Sequence, residues 1–195
     1  MALPVRKGKL ANGDKRKIVA GRWLVHKGPL VICDSGFHAS IRPIDALQYA
    51  PGNWVQRVEC AEIGDCTGHT DKLVCVRRKR LWVADAESTL RGFARRCALD
   101  VLPLAGDFTG ADIVREYLET GREDIRAAAR DAAGDAAWAA AWDAAWAAAW
   151  AAAGASAWAA ARDAAGDAAW AAAGAAARAK YDGWLSEMLL ALDPR

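Results

Sequence analysis

The hydrophobic positions of this chain change rhythm twice. Between residues 18 and 33 they fall into two short runs, 18–25 and 30–33, split by Lys27-Gly28-Pro29, a pattern that predicts strand, turn and strand. Residues 43–49 read as a short helix entered through proline, with Ile44 and Leu47 inward. Residues 54–60 alternate as a strand. Residues 73–76 and 81–84 read as two more, on either side of Arg77-Arg78-Lys79-Arg80. Asp85 then reads as the cap of a helix that buries Leu90, Phe93, Ala94, Cys97 and Ala98.

From 122 to 178 the rhythm becomes a strict four. Every fourth residue is Arg, Trp or Gly: Arg122, Arg126, Arg130 and Gly134, then Trp138, Trp142, Trp146 and Trp150, then Gly154, Trp158, Arg162, Gly166, Trp170, Gly174 and Arg178. The next slot is almost always Asp or Ala and the remaining two almost always Ala, so the unit is (Trp/Arg/Gly)-(Asp/Ala)-Ala-Ala. Trp, Arg and Gly interchange through the first base of a codon ending in GG, and Asp and Ala through the second base. Slippage of a four-codon unit followed by drift therefore also accounts for the pattern.

Alanine is the best helix former, so the tract predicts helix. A step of four residues overshoots the helical turn by about 40°. Trp138 to Trp150 then sweep about 120°, a core-facing stripe, while the full tract winds past one revolution. The expected solution is two or more antiparallel helices, broken at Gly134-Asp135, at Gly166-Asp167 and at Gly154 before Ser156. Alanine allows close approach, and Trp138, Trp142, Trp146, Trp150, Trp158 and Trp170 fill the gaps. Burying those indoles is worth on the order of 10 kcal/mol. An amphipathic helix over 112–121, with Ile113, Tyr117 and Leu118 on one side and Gly121 as its stop, precedes the tract, and another over 184–192 follows it. The expected fold class is α+β: a small, mostly antiparallel head over residues 1–105 and an Ala/Trp-rich helical tail over 106–195.

Charge follows the same division. The 195 residues carry a formal net charge of +2, but residues 1–100 hold 18 Lys/Arg against 10 Asp/Glu, and residues 101–195 hold 8 against 14. At 54% hydrophobic and 26% charged, the chain is neither a charged disordered polymer nor collagen-like. Its start lacks the apolar stretch of a signal peptide, and its five cysteines form no C-x-x-C pair, so free thiols and a cytoplasmic location are expected. Residues 144–161 are uncharged, but alanine is weakly apolar and Gly154 and Ser156 interrupt the run, so no membrane span is expected.

The run Ser35-Gly-Phe-His-Ala-Ser40, then Pro43-Ile-Asp-Ala-Leu-Gln-Tyr49, a strand, Gly64-Asp65 and Asp71-Lys72 resembles the head of an uncharacterised phage and actinobacterial family. Members of that family join such a domain to low-complexity repeats rich in Ala, Trp, Asp and Arg. The resemblance implies a phage or actinobacterial origin, and for a phage product the host cytoplasm, but no particular activity. Gly36-Phe-His-Ala before a helix ending in Tyr49 and a strand is also similar to the middle of ADP-ribosyltransferase domains. That likeness implies NAD as cofactor, with His26, His38 and Tyr49 facing it. No later strand carries a suitably placed catalytic Glu, since Glu87 reads as part of a helix cap.

Two further groups carry candidate chemistry. Cys60, Cys66, His69 and Cys75 supply four zinc-type donors within one stretch, of which only Cys66 and His69 have knuckle-like spacing; buried free thiols account for them equally. Arg77, Arg78, Lys79 and Arg80 with Arg91, Arg95 and Arg96 form a candidate phosphate or nucleic-acid patch, joined by a basic arm at Lys7, Lys9, Lys15, Arg16 and Lys17. Its plain alternative is a solvated hairpin. No P-loop, nucleophile elbow, H-E-x-x-H or G-x-G-x-x-G is present. The expected function is thus that of a non-enzymatic accessory protein without cofactor, its head a binding module and its helical tail a surface for self-association or a protein partner. The alternatives are an ADP-ribosyltransferase-like enzyme and a nucleotide-binding counter-defence protein without turnover.

Overall fold

In a computed structural model, residues 19–49, 52–139, 146, 149–152, 157–171 and 174–194 are described, apart from the side chains of 137–139, 158 and 169–171. The first half is organised by one strand. Strand β4, Leu73–Asp85, runs straight through Arg77-Arg78-Lys79-Arg80, where a hairpin between two strands is expected from the charge run. It continues because every other strand pairs with it, antiparallel: β1 (Trp23–Val25) at Arg77–Lys79, β2 (Phe37–Ala39) at Leu73–Cys75, and β3 (Trp54–Ile63) along Cys75–Asp85. The β3 register shifts between Arg57 and Val58, and Glu62 takes a left-handed φ of 57°.

Two expected strands shrink. The run 18–25 keeps only β1 as strand, and 30–33 becomes a tight turn closed by the bridge between Val31 and Ser35. Gly28, with φ 131°, and Pro29 fit the expected break. The short helix α1, Pro43–Ala46, forms as expected, with Ile44 and Leu47 buried. Phe37, Ala39, Val55, Val74, Cys75 and Trp82 are buried with them.

The chain separates into two compact units, Met1–Ala86 with Leu189–Arg195, and Glu87–Met188. The α2 helix, which the hydrophobic pattern assigns to the head, therefore groups with the later helices. The second unit holds α2 (Glu87–Val101), a 3-10 turn (Leu102–Ala105), α3 (Ala111–Thr120), α4 (Arg126–Ala139), α5 (Ala157–Ala171) and most of α6 (Ala175–Leu190). The α2 stripe is the expected one, extended by Val101, but Asp85 is the end of β4 and not its cap. In α3 the stop is the expected Gly121, at φ 68°, donating its N–H to Tyr117 O at 2.7 Å, and Val114 replaces Ile113 on the buried side.

The tract departs from expectation in which residues it buries. The α5 helix packs most extensively against α2, and its buried residues are Ala157, Ala160, Ala161, Ala164, Ala165 and Ala168. All occupy the last two slots of the repeat. At 100° per residue they cover an arc of about 140°, and the first-slot positions of Arg162 and Gly166 lie on the far side. Arg162 is exposed. In α4 the same two slots supply Ala129, Ala133 and Ala136. Alanine thus forms the tract's side of the seam, because a side chain of one methyl lets the partner helix approach closely.

The helices also run through the expected breaks. Gly134 and Gly166 sit inside α4 and α5 with no positive φ, since the helix cost of one glycine, about 1 kcal/mol, is offset by packing on either side. The described break comes at Gly174, φ 118°, ahead of α6. The expected break at Gly154 and Ser156 lies outside the described residues, as do 144–145, 147–148 and 153–156 of the uncharged run. Among the described residues no helix is long and apolar enough to cross a membrane.

Candidate functional site

The motif residues of the first unit have local reasons to be where they are. Gly36 has φ 117°, and a Cβ there would stand 2.6 Å from Val74 Cγ2 and 2.8 Å from Leu30 Cδ2, so only glycine lets the turn reach β4. Asp45 is buried in α1, its carboxylate gripped by the Arg42 fork at 2.6 and 3.1 Å.

His38, on β2, accepts the Cys33 N–H at Nε2, 2.9 Å away. Burial holds its pKa below the ordinary value, and the ammonium of Lys72 and the guanidinium of Arg78 add to that. Lys72 is the hub of the neighbourhood. It donates to Tyr49 Oη at 3.4 Å, lies 4.7 Å from that ring's centroid, and is held above its ordinary pKa chiefly by a hydrogen bond with Cys33. Tyr49 donates to Asp71, which raises the phenol's pKa and lowers the carboxyl's. Cys33 is exposed, with a left-handed φ of 69°.

The structure therefore brings His38 and Tyr49 to one cluster with Cys33, Asp71 and Lys72. His26 has other partners: its Nε2 lies 3.2 Å from Ser35 Oγ and 3.3 Å from Pro29 O, and its ring meets Phe37 edge-on at 6.2 Å. Cys33 escapes a reading of the sequence because nothing local marks it. Asp71 and Lys72 do stand out beside the motif, but their pairing with Tyr49 is purely tertiary.

The basic run is largely committed inside the sheet. Arg77 and Lys79 each lie 4.8 Å from the Trp23 ring centroid, and they pair with Glu62 at 3.5 Å and Glu59 at 2.5 Å. Arg78, 8% exposed, donates to His38 O at 3.1 Å and sits 5.1 Å from the Phe37 ring centroid. Arg80 is half-buried in the same strand. Arg95 and Arg96 belong to the other unit, where the Arg95 guanidinium lies over Gly121 and the Arg96 guanidinium 4.1 Å from the Trp184 ring centroid. The basic N-terminal arm lies outside the described residues.

Among the described residues no group of three or more His, Cys, Asp and Glu could hold a metal ion. Cys60 and Cys75 hydrogen-bond to each other, which lowers the pKa of Cys60 and raises that of Cys75. Cys66 donates to Gly64 O at 3.3 Å and accepts from Val74 N at 3.5 Å, and His69 closes its turn by a backbone bond to Cys66 O.

In the helical unit, Trp146 and Trp150 stand one turn apart with ring centroids 6.2 Å from each other and planes 30° apart. Trp146 is half-buried against Ala136 and Phe108, whereas Trp150 is 37% exposed. Together with Arg130, Asp131, Gly134 and Asp135 they line a groove of about 400 Å³. Trp142 and the side chains of Trp138, Trp158 and Trp170 lie outside the described residues. Comparison with family models, curated proteins and solved structures finds no match.

Proposed function

We propose that the chain is a non-enzymatic accessory protein of the phage type its motifs resemble. Its first unit binds a ligand or partner, and its repeat helices carry contacts to further copies of the chain or to another protein. The reading is supported above all by the slot order of the repeat. In α4 and α5 the buried positions of the repeat are all alanines, while Arg130, Arg162 and Trp150 remain exposed. Aromatic and Arg side chains on a surface are what protein interfaces favour. The protein works in the cytoplasm, where its free thiols persist.

Sedimentation velocity of the full chain over a hundredfold concentration range tests the assembly role. The expected result is a mass that rises above the 20.8 kDa of one copy and falls back on Trp150→Ser. A mass of one copy at every concentration overturns it.

One observation favours a second reading, a nucleotide-using enzyme similar to ADP-ribosyltransferases or a nucleotide binder without turnover: His38, Tyr49 and Lys72 share one electrostatic neighbourhood. Calorimetry with NAD on the wild type and on His38→Ala decides it. Heat abolished by the substitution supports this reading, and no heat with either protein removes it.

A further inference from the structure

The groove beside Gly134 has a composition that selects its occupant. Its space exists because of one slot. Where the repeat places Arg at 130, it places Gly at 134, and a Cβ there would meet nothing within 4 Å. One wall is aromatic, the tilted pair of Trp146 and Trp150. The other is acidic. Asp131 is already held by Arg130, whose Nε and Nη2 reach its Oδ1 at 3.0 and 2.7 Å. Asp135 is exposed and makes no ion pair among the described residues, so the groove keeps a net negative charge.

We infer that this groove binds a small alkylated ammonium ion of the quaternary type. Indole faces attract cations through the ring quadrupole, and an alkylated cation sheds its water at far lower cost than a primary ammonium or a metal ion. A carboxylate within the same groove adds Coulomb attraction that a neutral apolar ligand would not use. An anion meets Asp135 and is repelled. A metal ion finds only two carboxylates, one of them occupied. A volume of about 400 Å³ lies within the range of small-molecule sites. The inference does not rest on self-association, because the described residues that line the groove all belong to one chain.

Titration calorimetry of the full-length protein with choline chloride against a sodium chloride control, and with its neutral isostere 3,3-dimethylbutan-1-ol, tests it. The expected result is saturable choline binding, at least about fivefold weaker binding of the isostere, and a loss of about fivefold or more on Trp150→Ala or Asp135→Asn. Gly134→Trp fills the space and abolishes binding, with circular dichroism verifying that α4 persists. Absence of saturable choline binding overturns the inference, as does equal binding of the isostere or full binding by Gly134→Trp. Sedimentation of the same samples reads the assembly role separately, so a failure of either proposal is told apart from a failure of the other.

Discussion

At His38 the imidazole serves first as a hydrogen-bond acceptor, because the Cys33 amide points at its Nε2. Protonation would destroy that bond, and burial together with Lys72 and Arg78 already opposes it. The unfolded chain therefore takes up a proton that the native chain refuses. Stability is expected to fall as pH drops from about 6.5 towards the lower native value. Denaturant midpoints at pH 7.5 and 5 check this: His38→Gln, which keeps an acceptor but cannot titrate, should show the smaller difference. Tyr181 works with the opposite sign. It is fully buried and donates to Asp100 Oδ2 at 2.9 Å, and burial followed by that carboxylate raises its pKa. The native state keeps the phenolic proton, so this contribution is present below about pH 10 and lost as pH rises above it. Tyr181→Phe is expected to cost about 1.5–3 kcal/mol at neutral pH and to flatten the alkaline loss, as measured by urea unfolding.

Among the elements, those that bury a stripe of large side chains are legible from spacing alone. The α2 face and the Gly121 stop of α3 are examples, since both follow from local helical geometry. What escapes is set by distant partners. Arg77 to Arg80 read as a turn because four adjacent cations repel, yet Glu59, Glu62 and Trp23 arrive from other strands to neutralise and cover them. The cluster of Cys33, His38, Tyr49, Asp71 and Lys72 is hidden for the same reason: its members are spread over three loops and a strand. In the tract, the size of tryptophan argues for it as the buried face, whereas the described interior is alanine, because a methyl-sized side chain lets a partner helix that carries larger residues such as Leu90 and Phe93 come close. The expected signature is an inversion of the usual tolerance. Ala164→Leu should cost about 1–3 kcal/mol by overpacking the seam with α2, while Arg162→Ala should stay within about 0.5 kcal/mol. Thermal unfolding of the two variants makes the comparison.

On the scale of the whole molecule, Leu189–Arg195 group with the first 86 residues, so in chain order the helical unit is an insertion. Were the repeat to gain or lose copies by slippage, the alanine seam would decide which copies the fold survives. One added unit lengthens a helix by about 6 Å and rotates everything beyond it by about 40°. A seam about 140° wide exceeds the roughly 100° that a packed face needs by that same 40°. Duplicating residues 162–165 should therefore leave a cooperative unfolding transition. A single extra alanine after Ala161 turns Asp163 and Asp167 by about 100° into the arc that faces α2 and should broaden or abolish the transition in calorimetry. The four-residue period thereby acts as a reading frame for packing, and drift in copy number stays neutral only while it moves in whole frames.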